Sequence, residues 1–163
     1  IGKMSDFIIK RATKKDAHTV LKFIRHLSDY EKLSHEVIAT EEDLIRNLLN
    51  DESNAEAIIG YYKNIPISFA VYFYNFSTFL GKKGLYLEDI YVLPEYRGSG
   101  FGKKMLKYLA KIAIETDCGR FEWAVLDWNT PAIDFYKSIG AELKNEWVIT
   151  RLSGKSLINF AQK

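Results

Sequence analysis

Apolar residues recur along this chain with two spacings, one typical of helices and one typical of strands. Spacings of three and four predict helices over residues 14–31, from Thr40 onward, and over 103–116 and 130–138. Runs rich in β-branched and aromatic residues predict strands. The predicted strands are 7–10, 57–62, 67–76, 85–92, 120–126 and 147–152. This order predicts one α+β domain built around a mixed sheet.

Polar residues stand at the ends of these elements, where helix caps and turns are expected. Thr13 and Thr40 each stand three residues before an acidic side chain, which indicates a capping box. The stretch 63–66 is predicted to be a hairpin turn. The apolar residues near 157–160 fit either a final helix or a tail.

A glycine-rich turn follows the strand at 85–92 and opens the next helix. Three glycines lie within Arg97-Gly98-Ser99-Gly100-Phe101-Gly102, and residues 97–111 contain five basic side chains and no acid. Unpaired N–H groups at such a helix start suit a phosphate. The spacing fits neither a Walker loop nor a dinucleotide fingerprint. A merely flexible turn remains the alternative.

Composition narrows the classes of protein that this chain can be. Its 163 residues carry 23 basic and 21 acidic side chains, a net charge of +2 that argues against a general nucleic-acid binder. The single Cys118 excludes a disulfide scaffold and suits a reducing cytoplasm. The uncharged stretch 64–81 is interrupted by polar residues and favours strand over a membrane span. No metal site is expected, because the three histidines lack ligand spacing.

The glycine turn matches the Arg/Gln-x-x-Gly-x-Gly/Ala signature, and the chain resembles the GNAT superfamily of N-acetyltransferases. Within that superfamily it is similar to the diamine (spermidine/spermine) N-acetyltransferases, especially their thialysine-acetylating branch. The blocks that carry the resemblance are Tyr30-Glu31-Lys32-Leu33-Ser34, Tyr86-Leu87-Glu88-Asp89-Ile90-Tyr91-Val92, Pro94-Glu95-Tyr96-Arg97-Gly98, Ala124-Val125-Leu126-Asp127-Trp128-Asn129 and Phe135-Tyr136-Lys137. The resemblance covers the chain from Met4 and implies a GNAT fold over 4–163. Residues 1–3 precede this Met and are expected to be an expression remnant.

The resemblance implies acetyl-coenzyme A as co-substrate and direct attack of the amine on its thioester. Tyr136 then serves as general acid to the thiolate and Glu88 as base or cation holder. The alternatives are a packing tyrosine and a solvated carboxylate. The residues implied to contact the coenzyme are Ile90, Tyr91, Val92, Arg97, Gly98, Ser99, Gly100, Phe101, Gly102, Lys103, Asn129 and Tyr136. Asn129 could equally be a helix cap.

A cationic acceptor requires negative charge in the substrate site. The residues implied to contact it are Tyr30, Glu31, Glu88, Asp89, Glu122, Trp123 and Ala124. A solvated helix end explains Tyr30 and Glu31 equally well without the resemblance. Ser77-Thr78-Phe79 replaces the Asp-Pro-Trp of the spermidine/spermine branch and lacks its carboxylate, which favours a small diamine or an aminoalkyl amino acid over spermine.

We therefore expect a cytoplasmic N-acetyltransferase of small amines, with no nucleic-acid or membrane partner. The resemblance also implies a homodimer. Two alternatives remain open at this point. One is a GNAT enzyme that acetylates a protein lysine or an antibiotic amine, and the other is a module that binds acetyl-coenzyme A without catalysis.

Overall fold

The computed structural model describes residues 6–162, whose five strands form one mixed sheet. The strands are β1 (Phe7–Arg11), β2 (Ala55–Tyr62), β3 (Ile65–Ser77), β4 (Lys82–Val92) and β5 (Phe121–Trp123). They lie in sequence order, with β1 to β4 antiparallel and β5 parallel to β4. The described chain forms two compact units that meet in sequence at Ala124. The expected expression remnant, residues 1–3, and Met4 lie outside the described residues.

Three helices belong to the first unit and two to the second. The helices are α1 (Ala17–Tyr30), α2 (Glu41–Asn47), α3 (Phe101–Glu115), α4 (Thr130–Ser138) and α5 (Gly154–Gln162). Phe23 of α1 stacks on Phe69 of β3 with ring centroids 5.3 Å apart. On the other face, Leu87 of β4 and Met105 of α3 are both buried, and α3 contacts β3 and β4. Buried residues are consecutive along the middle of β3, so the sheet buries both faces and confirms the predicted α+β class.

Local sequence explains where α2 begins. Thr40 N–H donates to Asp43 Oδ2 at 2.9 Å, and Asp43 N–H donates to Thr40 Oγ1 at 3.2 Å. Each residue thus satisfies an N–H group that the helix leaves without a partner. At Thr13, the N–H donates to Asp16 Oδ2 at 2.8 Å and the hydroxyl donates to the same oxygen at 3.4 Å, while Asp16 N–H donates to the Thr13 carbonyl at 2.9 Å.

The hairpin turn between β2 and β3 is shorter than predicted. Lys63 and Asn64 both have positive φ, at +48° and +65°, and form a two-residue turn. Pro66 therefore lies in β3, not in the turn, and stands opposite Tyr61 where the register shifts. A proline lacks the N–H that the strand ladder needs, so this irregularity accommodates it.

Two predicted element boundaries and one predicted strand are corrected. Helix α3 begins at Phe101, two residues earlier than predicted, and β5 ends at Trp123 although the strand pattern continues to Leu126. Within residues 6–162, the segment 147–152 pairs with no strand, and Trp147 is 77% exposed. A strand pattern records local preference, whereas a strand exists only where a partner supplies hydrogen bonds. No helix in the described part of the chain is long and apolar enough to span a bilayer.

Candidate active site

The glycine turn before α3 has the backbone geometry that a bound anion requires. Gly98 and Gly100 have φ values of +79° and +86°. The first backbone bond of the helix runs from Lys104 N–H to the Gly100 carbonyl at 3.0 Å. The N–H groups of the three preceding residues therefore have no intrahelical acceptor, and they stand at the positive end of the helix dipole.

The same turn has open space beside its backbone. A Cβ added at Gly98 would meet no atom within 4 Å, and one added at Gly102 would meet only Val92 Cγ2, at 3.7 Å. The surrounding protein thus does not require glycine at Gly102. A ligand can therefore approach the main chain of this turn closely.

Aromatic packing fixes the start of α3. Phe101 is 6% exposed, and its ring lies 4.9 Å from that of Phe7 and 5.2 Å from that of Tyr62. Tyr96 adds an edge contact at 6.4 Å. Phe101 was predicted to contact the coenzyme; its side chain belongs to the core, so only its main chain is available for that contact.

The Arg97 side chain joins the turn to the end of α1. Its guanidinium lies 5.0 Å from the ring centres of both Tyr30 and Tyr91, and its Nε donates to the Val92 carbonyl at 2.9 Å. The His26 ring stacks on the Tyr91 ring, with 6.1 Å between the two ring centres. These contacts position Tyr30, one of the predicted acceptor-contacting residues, beside the glycine turn.

Strand β4 loses its neighbour on one side before it ends. Strand β5 pairs only with residues 85–87, so among residues 6–162 no strand covers the outer edge of residues 88–92. Alternate N–H and C=O groups of this edge point away from β3. The predicted main-chain contacts of Ile90, Tyr91 and Val92 lie in this stretch.

A β-bulge places two carboxylates on one side of the sheet. Val71 pairs with Asp89 and Tyr72 with Leu87, which leaves Glu88 as the extra residue of β4. In a regular strand, consecutive side chains point to opposite faces. The bulge instead directs both Glu88 and Asp89 to the face that α1 covers.

Three predicted acceptor-site carboxylates lie close enough to interact. Burial, together with the nearby Glu88 and Glu31, raises the pKa of Asp89 to about 6. Burial also raises the pKa of Glu31. Asp89 thus lies between a carboxylate from the end of α1 and one from the bulge, and each of them opposes its ionisation. A cation bound there would relieve this repulsion.

Strand β5 extends this acidic surface with Glu122, which lies beside a tyrosine of β4 that was not predicted to belong to the site. Tyr86 stands opposite Glu122, and its ring lies 5.1 Å from that of Phe73. Burial, then Glu88 and Glu122, raise the pKa of the Tyr86 hydroxyl. Of the other predicted residues on β5, Trp123 is half-buried and ends the strand. Only its position opposite Glu122 could have identified Tyr86, and strand pairing is not visible in a sequence.

The predicted general acid belongs to the second unit. Tyr136 lies in α4, where its ring is 5.8 Å from that of Phe135. Asn129 caps this helix by accepting from Ala132 N–H at 3.4 Å. The alternative of a capping Asn129 is thus borne out, and its predicted contact with the coenzyme stays a prediction, as does the role of Tyr136.

Two further predictions concern the β3–β4 hairpin and metal binding. The residues replacing Asp-Pro-Trp form the tip of the β3–β4 hairpin, where Phe79 is 96% exposed. Over residues 6–162, no three His, Cys, Asp or Glu side chains are arranged to hold a metal ion.

Comparison with known proteins gives consistent matches. The acetyltransferase (GNAT) family model matches residues 21–141. A thialysine N-epsilon-acetyltransferase from Sus scrofa is 35% identical over 98% of this chain and 100% of its own length. An L-ornithine N5-acetyltransferase from Arabidopsis thaliana is 31% identical over 91% of this chain and 85% of its own. Among solved structures, an integron cassette protein from V. cholerae superposes with a TM-score of 0.81 at 30% identity, covering 97% of this chain and 99% of that one.

Proposed function

Because this chain belongs to the GNAT acetyltransferase family and is an N-acetyltransferase, we propose that its acceptor is a small aminoalkyl amino acid or diamine. The family, fold class and enzyme class predicted from the sequence are thereby confirmed. The observation that carries the proposal is the mutual approach of Glu31, Glu88 and Asp89. Three carboxylates around a half-buried position favour a ligand with positive charge.

GNAT enzymes use acetyl-coenzyme A as co-substrate, and the turn before α3 fits its pyrophosphate. The supporting features are the positive φ of Gly98 and Gly100, the N–H groups without intrahelical acceptors, and the open space at Gly102. Lys103 adds positive charge at the helix start. Bound acetyl-coenzyme A supplies the activated acetyl thioester.

The chain's own residues must manage protons and charge. An amine is protonated at neutral pH, so it needs a base before it can act as a nucleophile. We assign this to a Glu88 carboxylate oxygen, which the bulge presents on the acidic face. N–H groups of the exposed β4 edge, within Ile90 to Val92, would polarise the acetyl carbonyl. Tyr136 Oη holds the proton that the departing coenzyme A thiolate needs to become a thiol.

We further propose a cytoplasmic homodimer that binds neither nucleic acid nor membrane. The single Cys118, half-buried and without a disulfide partner, supports a reducing compartment. The near-balanced charge supports the absence of a nucleic-acid partner. The homodimer rests on the resemblance to diamine N-acetyltransferases.

An amine panel tests the proposal. The protein should release coenzyme A from acetyl-coenzyme A with thialysine, ornithine or putrescine, and more slowly with spermine, a lysine peptide or an aminoglycoside. Glu88→Gln should lower kcat by roughly 10² or more, as expected for loss of a general base. The exposed Glu115→Gln is the matched control and should leave kcat unchanged.

Three results would contradict the proposal. The diamine assignment fails if no small amine supports turnover, and the acceptor class is wrong if the peptide or aminoglycoside is preferred. An unchanged kcat in Glu88→Gln would remove its role as base.

A further inference from the structure

One face of the sheet carries a partly exposed strip of side chains that leads away from the three carboxylates. Helix α1 covers the part of this face that contains Phe69, Val71 and Tyr91, which belong to one buried cluster. The next cross-strand pair on the same face is Phe73 with Tyr86, and both are only half-buried. We call the surface formed by Phe73, Tyr86, Glu122 and Arg120 the sheet strip.

Strand register determines how the sheet strip is built. Phe121 pairs with Leu85, so Arg120 lies opposite Gly84, where a Cβ would stand 3.4 Å from the Arg120 carbonyl. Residues two apart on a strand share a face. Arg120 and Glu122 therefore project on the same side as Tyr86, and Gly84 contributes no side chain between them.

Charge changes sign along the sheet strip. At one end Glu88 and Asp89 provide negative charge, and Tyr86 lies between Glu88 and Glu122. At the other end the Arg120 Nε lies 3.5 Å from Glu122 Oε1, with the two side chains 46% and 39% exposed. This ion pair presents a positive and a negative group side by side, both open to solvent. A half-exposed pair of this kind contributes little stability by itself.

The pattern is complementary to an aminoalkyl amino acid in its extended form. Its terminal ammonium would meet Glu88 and Asp89, and its apolar stem would lie over the Phe73 and Tyr86 rings. The α-carboxylate matches the Arg120 guanidinium, which recognises carboxylates with fixed geometry. The α-ammonium matches Glu122. A diamine has no group for Arg120 to bind.

We propose that Arg120, paired with Glu122, binds the α-carboxylate of the acceptor and so makes the enzyme select amino acids over the corresponding diamines. This inference rests on the proposed function and adds a specificity determinant to it. The guanidinium is a positioning and recognition group, remote from the proton that Glu88 removes. Its loss should therefore raise KM for one acceptor class and leave kcat largely intact.

The test compares two acceptors that differ only by the carboxylate, thialysine and bis(2-aminoethyl) sulfide. Arg120→Gln should lower kcat/KM for thialysine about tenfold or more, mainly through KM, because a charge-assisted hydrogen bond is lost. The value for the sulfide diamine should change less than about twofold by the same reasoning. Arg120→Lys keeps the charge and should restore part of the loss. The exposed Arg46→Gln on α2 is the matched control and should change neither acceptor.

The outcomes separate this inference from the proposed function. Equal losses for both acceptors, with lowered thermal stability, would show that Arg120 only supports β5 and would overturn the inference. An unchanged KM for thialysine would do the same, while turnover of both amines by the wild-type enzyme would leave the proposed function standing. If the wild-type protein acetylates neither amine, the proposed function fails, and the inference falls with it.

Discussion

At the scale of single residues, Asp89 is the group whose environment conflicts most with its charge. Burial and two neighbouring carboxylates raise its pKa to about 6, from a usual value near 4. Between about pH 4 and 6, Asp89 therefore keeps its proton in the folded protein but loses it in the unfolded chain. Stability falls as pH rises through this window, and above it the ionised Asp89 is a constant cost. Binding a cationic acceptor would offset that cost.

Asp89→Asn removes this charge and should stabilise the free protein at pH 7.5. We expect a gain of about 1 to 3 kcal/mol in the free energy of unfolding, measured by urea denaturation, and little gain at pH 4. KM for the amine should rise, since the acceptor loses a carboxylate. Asp6→Asn, an exposed carboxylate on the same unit, is the control. An equal gain at both pH values would contradict the assignment of strain to Asp89.

At the scale of elements, the glycine turn and the start of α3 act together. The aromatic contacts of Phe101 hold the helix in place, and the positive φ of Gly98 and Gly100 turns free N–H groups outward. A residue with a Cβ pays about 1 to 2 kcal/mol in this left-handed region. Only glycine therefore adopts the backbone geometry of this turn without strain.

Gly98→Ala separates this conformational cost from coenzyme binding. Gly81 also has a positive φ, +65°, and an open surrounding, so Gly81→Ala is a matched control on the β3–β4 hairpin. Both substitutions should cost roughly 1 kcal/mol of stability. Only Gly98→Ala should raise KM for acetyl-coenzyme A, by about tenfold. Equal KM values in the two variants would remove the turn from the coenzyme site.

The elements also show what a sequence can and cannot predict. Helix α4 matches its predicted bounds because its cap and proline are local signals. The residue types of Glu31, Glu88 and Asp89 were recognised, but their approach depends on a bulge set by the register with β3. Register is a property of two strands and is absent from either one's pattern. The missing strand at 147–152 has the same cause, since its apolar residues specify no partner.

At the scale of the first unit, opposite charges are distributed to two surfaces. The stretch 97–111 is basic, whereas the face around the bulge carries Glu31, Glu88, Asp89 and Glu122. The net charge of +2 conceals this separation. One surface suits an anionic co-substrate and the other a cationic acceptor, so each ligand should be attracted to its own side.

Salt should weaken both interactions independently. Raising ionic strength from about 0.05 to 0.5 M should raise KM several-fold for acetyl-coenzyme A and for the amine. Glu31→Gln should flatten the dependence for the amine and leave that for acetyl-coenzyme A unchanged. The exposed Glu115→Gln should alter neither slope. A loss of salt dependence for both substrates in Glu31→Gln would show that the two surfaces do not act separately.

The bulge at Glu88 also constrains how this strand can change over evolutionary time. Leu85 and Leu87 face α3 before the bulge and Ile90 faces it afterwards, because the extra residue shifts the alternation by one position. Deleting one residue between Leu87 and Ile90 would remove the bulge without exchanging the two sides of β4, since the remaining residue would pair with Val71. Shortening this segment by one residue would therefore keep the strand pairing but leave one carboxylate, not two, on the acidic face.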